Sequence, residues 1–321
     1  MQNSLHTDSA ISHEDSSVRN FPFDAPGTFF KGNLHCHSTN SDGHRTPEEV
    51  CEFYKSNGYD FISLTDHFMQ RFEWPVSDTT GFRDEKFTTL LGAELHGWGM
   101  ENGELWHIVA NGLPADFEAP HANEDGQEIA ARATDAGAFV TIGHPGWNGV
   151  TTGDALSLKD FDAIEIYNHG HMNDCDRGNG WLFADTMANR GNRFSTTAAD
   201  DAHFHDHRPD TLGGWVHVKS ESLEPDALLK ALKQGQFYAS TGPQIHHIAF
   251  TQDEIVIECD PAIAVYAAGR GSTRQFQRGD DLTTVRLPIS SFLNSYVRIT
   301  VQDDQSNRAW TSPIWLEEIN L

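Results

Sequence analysis

Short apolar runs that stop on a histidine or a carboxylate recur along this chain, and that recurrence limits the folds open to it. The first run, Phe29-Phe30 to Leu34, leads into His35-Cys36-His37. On a strand, residues two apart project from the same face, so both imidazoles can reach one metal ion. Asp42 follows in a loop that Gly43 lets turn sharply. Later runs repeat the arrangement. Tyr59 to Thr65 ends at Asp66-His67, and Phe87 to Leu91 leads to Glu94. The run around Trp106 to Ala110 carries His107, Phe139 to Ile142 stops at His144, and Phe194 to Ala199 enters Asp200-Asp201-Ala202-His203.

Helical patterns separate these runs. Thr46-Pro47-Glu48-Glu49 reads as a capping box with proline in the first turn. Val50, Phe53 and Tyr54 line the inner face of that helix, and Asn57-Gly58 stops it. Further helices are expected around Ile129 to Ala136, over Trp181 to Asn189, and over Pro225 to Gln234. Strands alternating with helices imply an α/β fold with a mainly parallel sheet, and seven or eight such units imply a closed or distorted (β/α) barrel over residues 27–243. Residues 244–321 hold only strand-like runs between Asp, Gly, Ser and Asn turns, which reads as a small all-β sandwich. Residues 1–26 are polar and aperiodic, as expected of a mobile N-terminal arm.

Charge narrows the function. Lys and Arg number 22 against 47 Asp and Glu, a formal net charge of −25. Such a surface repels phosphate backbones and anionic lipid, which argues against nucleic-acid or membrane partners. No run reaches the roughly 18 apolar residues of a membrane span. Cys36, Cys51, Cys175 and Cys259 are scattered without metal or disulfide spacing, and Met1 to His6 hold no apolar signal core. A soluble cytoplasmic protein with reduced thiols is the expectation.

In parallel α/β architectures, functional side chains gather at the C-terminal edges of strands. Those positions here are His35, His37, Asp42, His67, Glu94, His107, His144, Asp201 and His203. A single zinc takes about four ligands, so this set suits two or three divalent ions, with a carboxylate bridging a pair. Other residues read more plainly. Glu165, in a strand interior, is expected to support the site rather than ligate. His169-Gly170-His171 reads as a solvated loop pair, and Asp200 as a less natural partner of His203 than Asp201. His6, His13, His121, His246 and His247 fall outside the pattern.

At this point the chain resembles a known family. His35-x-His37 with Ser41-Asp42-Gly43, Thr46-Pro47-Glu48-Glu49, Leu64-Thr65-Asp66-His67, Glu94, Gly143-His144-Pro145 and Asp201-Ala202-His203 look like the motifs of the PHP (polymerase and histidinol phosphatase) domain family. The stretches Gly213-Gly214-Trp215-Val216 and Phe237 to Pro243, with the β tail, further resemble its two-domain branch that includes CehA/McbA-type metallohydrolases. The resemblance implies a distorted (β/α)7 TIM-like barrel holding up to three ions. Carried over residue by residue, His35, His37, Glu94 and Asp201 would hold the first. Glu94, His107 and His144 would hold the second, and Asp42, His67 and His203 the third. Mn, Fe or Zn suits such N/O ligands.

The activity implied is phosphoesterase action on a small phosphomonoester or phosphodiester by a hydroxide held between two ions, with Asp42, Glu94, Asp201 and His203 as the catalytic set. Three divalent ions against three carboxylates leave the pocket locally positive inside an acidic protein, which suits an anionic phosphoester. Arg45, Arg177, His205 and Arg208 lie in loops on the same edge and are expected to contact phosphate or the leaving oxygen. Two alternatives stand beside this reading: hydrolysis of a carbamate, ester or amide at the same ligands, and a catalytically silent binding protein. No strand-end lysine offers a carbamylated bridge, and the full ligand set speaks against a decayed site.

Overall fold

A computed structural model describes residues 21–319. Its first ten strands are β1 (Thr28–Asn33), β2 (Phe61–Leu64), β3 (His67–Phe68), β4 (Thr88–Gly97), β5 (Trp106–Asn111), β6 (Phe139–Ile142), β7 (Ala163–Asn168), β8 (Ser195–Ala199), β9 (Trp215–Ser220) and β10 (Phe237–Ser240). Seven α-helices accompany them: α1 (Pro47–Ser56), α2 (Gly126–Asp135), α3 (Pro145–Asn148), α4 (Thr152–Ser157), α5 (His169–Cys175), α6 (Trp181–Asn189) and α7 (Pro225–Lys233). The remaining strands are β11 (Ile245–Phe250), β12 (Glu254–Gly269), β13 (Arg274–Pro288), β14 (Tyr296–Gln302), β15 (Arg308–Trp310) and β16 (Ile314–Trp315).

The result is a mixed α/β fold around a large sheet, ordered β10-β9-β1-β2-β4-β5-β6-β7-β8 in its first part. β1/β2, β2/β4, β6/β7 and β7/β8 pair in parallel, whereas β1/β9, β4/β5 and β5/β6 run antiparallel. The ladders therefore make a mixed sheet where strand–helix alternation implies a mainly parallel one. One cause is local: residues 98–105 hold no helix, so the chain returns directly and β5 lies against β4 in the opposite sense. Between β8 and β1 the pairing shrinks to one parallel bridge, Cys36 to Ala202. There the His37 N–H donates to the Ala202 carbonyl, and the Asp201 N–H to the His35 carbonyl, each at 2.9 Å.

The first core packs β4 to β7 against the apolar faces of α2 (Ile129, Ala130, Ala133) and α6 (Ala184, Met187). α1 starts as its capping box requires: the Glu49 N–H donates to Thr46 Oγ1 at 3.3 Å, and the Thr46 N–H donates to Glu49 Oε2 at 2.8 Å.

A second core lies among β11 to β14, with Ile257, Val265, Val285, Ile299 and Val301 buried together. β12 pairs with β11 through its first half and with β14 through its second. The register shifts between Glu258 and Ala262, which accommodates Pro261 at an irregularity, where a missing ladder donor is tolerated. Residues 1–20 lie outside the described part. Phe21 and Phe23, at the end of the expected arm, pack here instead of remaining in water, with Phe23 stacked 5.9 Å from Tyr238 and Phe21 edge-on to Phe250.

β10 pairs with β15, and β15 with β14, so the sheet continues into the second unit. Tyr296, Trp310 and Trp315 from that unit are buried in the first core. Among the described residues no helix is long and apolar enough to cross a membrane.

Candidate metal centre

β1 ends at Asn33, whose side chain donates to the His35 carbonyl at 3.0 Å and to the Tyr54 hydroxyl at 2.8 Å. His35 and His37 therefore lie just past the strand, on the seam with Ala202. β4 runs on to Gly97 and places Glu94 and His96 on one face. His67 in β3 is in register with Glu94, and His107 in β5 with His96. Two members occupy left-handed backbone, His144 (φ 24°) and Asp201 (φ 53°). Such conformations cost about 1–3 kcal/mol each and persist where the surroundings hold them.

Glu94 sits at the centre. Its Oε1 lies 2.7 Å from His107 Nδ1 and 3.1 Å from His144 Nε2. Its Oε2 lies 2.7 Å from His67 Nδ1, 3.6 Å from His37 Nε2 and 3.7 Å from His35 Nε2. Asp201 forms a second focus, with Oδ1 3.0 Å from His37 Nε2 and 3.3 Å from His35 Nε2. Asp42 closes the outer side at 3.4 Å from both His67 Nε2 and His203 Nε2. All nine residues expected as ligands are thus in one cluster, although His107 stands near the start of the antiparallel β5 and not at a strand's C-terminal edge.

The structure adds members that the sequence reading left out. His96 Nε2 lies 2.9 Å from His67 Nδ1, and His171 Nε2 lies 3.2 Å from Asp201 Oδ2. The strand period offered a signal for His96, two residues after Glu94. The sequence pattern implies a solvated His171, but Asn168 caps α5 by accepting the His171 N–H at 2.9 Å and turns that histidine inward. Glu165 supports the site: Oε1 is 3.1 Å from His35 Nδ1, and Oε2 accepts the His144 N–H at 2.8 Å. Asp200 points away, accepting from the Tyr54 hydroxyl and the backbone N–H groups of Leu212, Gly213 and Gly214.

Charge explains how these groups coexist. Burial works to raise Glu94, but His67 and His107 hold it well below the usual carboxylate range. Burial works likewise on Asp201, and His35, His37 and His203 hold it well below its ordinary value. Burial works to lower His67, yet Glu94 and Asp42 hold it up at about 10. His37 is pushed down to about 4 by burial and by its neighbours His203 and His67. Burial likewise takes His171 down to about 3. Protons on some imidazoles thus balance the carboxylates, while the remaining imidazoles are neutral and ligand-ready.

The donor set fits divalent cations. His35 Nε2 and Glu94 Oε2 are buried without a hydrogen bond of regular geometry, although Asp201 Oδ1 lies 3.3 Å from the first and His67 Nδ1 2.7 Å from the second. Ligand atoms fall within 4.8 Å of one another in the groups His37-Asp42-His67-His203, His35-His37-Glu94, His35-His144-Asp201, His67-Glu94-His96 and Glu94-His107-His144. These are imidazole nitrogens and carboxylate oxygens, the donors that Mn, Fe and Zn accept.

The cluster opens into a cleft of about 510 Å³. Arg208 lines it, ion-paired with Asp174, and Arg71 lines it too, although the sequence reading did not single it out. The other expected phosphate contacts lie elsewhere. Arg45 rests its guanidinium on Phe53 (4.6 Å) and Phe204 (4.8 Å), a cation–π arrangement that draws it away. Arg177 is exposed to solvent outside the cleft, and His205 packs edge-on against His44 at 3.9 Å.

No family model and no curated protein sequence matches the chain. Among solved structures it is similar to a two-domain protein from Bacteroides vulgatus described as containing a predicted PHP-like metal-dependent phosphoesterase. The two share 16% identity over 91% of this chain and 98% of that one, with a TM-score of 0.49. It is also similar to a candidate metal-dependent phosphoesterase from Bifidobacterium adolescentis, at 16% identity over 63% of this chain and 96% of that one, TM-score 0.44. An amidohydrolase from Chromobacterium violaceum, with bound sulfate and no metal, is similar at 15% identity over 54% of this chain and 87% of that one, TM-score 0.40.

Proposed function

We propose that this chain is a metal-dependent hydrolase that cleaves a small anionic phosphoester, a monoester or a diester. One observation carries the reading. Glu94 and Asp201, each no more than 3% exposed, both face several imidazole nitrogens, with His35 Nε2 lying 3.7 Å from the first and 3.3 Å from the second. Buried carboxylates and imidazoles packed so closely are costly without cations to share.

His35, His37, Glu94 and Asp201 would hold one ion, Glu94, His107 and His144 a second, and Asp42, His67 and His203 a third. Bound there, divalent ions supply Lewis acidity and lower the pKa of water. The chain's own residues do the rest. Glu165 and Asn168 fix His35 and Asp201, since Asn168 Nδ2 donates to Glu165 at 2.9 Å and to Asp201 at 3.1 Å. Arg208, braced by Asp174, and Arg71 offer guanidinium donors to phosphate oxygens in the cleft. Asp42 and His203 stand on the solvent side, with Asp42 40% exposed. Against the effect of burial, Asp42 and Asp201 hold His203 above its usual value, so it can carry a proton toward a departing oxygen when no third ion occupies that group.

The test is direct. Protein loaded with Mn, Fe or Zn is assayed against phosphomonoesters, phosphodiesters and carbamate esters. The expected result is phosphoester hydrolysis that falls to background in Glu94→Ala and Asp201→Ala. Turnover of carbamates alone, or variants as active as the parent, overturns the phosphoesterase reading.

A further inference from the structure

Beside the metal cleft lies a second cavity of about 330 Å³, and the two share Met69 and His96 as a common wall. Its character is different. Phe68, the residue after His67, forms part of the lining, with the Trp74 ring packed 5.5 Å from it. Trp74 is held in left-handed backbone (φ 58°), as is Glu73 before it (φ 63°), so two consecutive strained residues present this indole. Opposite in sequence, Trp98 is fixed through its backbone: it bridges to Asp125, and its carbonyl accepts the Gly126 N–H at 2.8 Å. Its side chain, however, is 62% exposed. An indole held at its backbone and open to solvent offers a ligand apolar surface to bury.

Charge separates the two compartments. Arg71 and Arg208 line the metal cleft, whereas none of the residues lining the annex is Lys or Arg. Its Glu124 is already paired to Arg132 at 2.8 Å and 3.0 Å. An anionic group therefore belongs on the metal side, and an uncharged group belongs in the annex, where Phe68, Trp74, Trp98 and Leu105 line one part and Gln70, His121 and Asn123 another. We propose that the annex binds the alcohol moiety of the substrate and that this moiety carries a planar aromatic ring, stacked against Trp98. The enzyme then acts on phosphoesters of aryl-bearing alcohols, with the scissile bond at the shared wall. This rests on the hydrolase reading for the position of the reacting bond, but the affinity of the annex does not depend on turnover.

The experiment compares phenylpropylphosphonate with propylphosphonate, two non-hydrolysable ligands that differ only in the ring, by calorimetry on metal-loaded protein. Hydrolysis of the two corresponding phosphates is followed in parallel. The aryl phosphonate is expected to bind about tenfold more tightly, as burial of one ring allows. In Trp98→Ala that ratio falls to about one, and Trp98→Phe restores most of it. Because the Trp98 side chain is largely exposed, its truncation leaves the fold intact. Equal affinities, no measurable binding of the aryl phosphonate, or a preference that survives Trp98→Ala each overturn the annex. Failure of both phosphates to react defeats the phosphoesterase reading alone, since the binding ratio still decides the annex.

Discussion

Glu165 shows how a residue outside the ligand set shapes the centre. It orients His35 through Nδ1, at 3.1 Å, and holds the backbone of His144 in its left-handed turn. Removing such a partner typically costs 10–100-fold in metal affinity. Glu165→Ala is therefore expected to weaken metal binding by about that factor, read by competition with a chelator, while the chain stays folded. His67 gives a pH prediction for chelator-treated protein. Its folded pKa of about 10 lies above the ordinary imidazole value of 6.5. The stability it contributes is thus fully present below 6.5 and is lost as pH rises through about 10. Urea denaturation at the two ends of that window should show wild type losing its advantage over His67→Asn; an advantage that persists at the alkaline end contradicts the assignment. At this scale much of the centre was legible, because strand ends with His or carboxylate are visible in sequence. Arg45 was not, since its partners Phe53 and Phe204 are far apart in the chain and meet only in the fold.

Elements aim these residues. The loop from Ser38 to Gly43 carries Asp42 back toward His67 and His203, and Gly43 makes that possible by close approach rather than by a left-handed φ. A Cβ there would lie 2.7 Å from the His37 carbonyl carbon and oxygen. Gly43→Ala should therefore displace Asp42 and lower metal content by about one ion per chain, seen by elemental analysis, with His35 and Glu94 sites retained. α1 presents a contrast, because its cap lies on the surface away from the chemistry. Thr46→Ala is expected to cost about 1 kcal/mol of stability in denaturant titration, with turnover unchanged. α1 was legible from its capping box, a local signal. α5 was not: it spans 7 residues, includes Gly170 and Asn173, and is fixed by Asn168 and the surrounding strands. The antiparallel β4/β5 pairing was missed for a related reason, since alternation of strands and helices says nothing about a connection that lacks a helix.

At the scale of the whole molecule, the core among β11 to β14 is tied to the rest by one sheet, and three aromatic residues of that second unit are buried in the core around α2 and α6. Trp310, 5% exposed and stacked 5.9 Å from Tyr167, is the clearest tie. Trp310→Ala should cost about 3–5 kcal/mol and lower the melting temperature while leaving a single unfolding transition. A change from helix-containing to all-strand patterning near residue 244 was legible in sequence. The shared sheet was not, because β10 pairs with β15 across about 70 residues of chain, a contact that local patterning does not encode. The proposed function requires cations in the centre of this acidic molecule. The most direct test is metal content after loading with Mn, Fe or Zn and desalting, in wild type and in Glu94→Ala. The account predicts about two to three ions per chain in wild type and about one at most in the variant; wild type that retains no more metal than Glu94→Ala would contradict it.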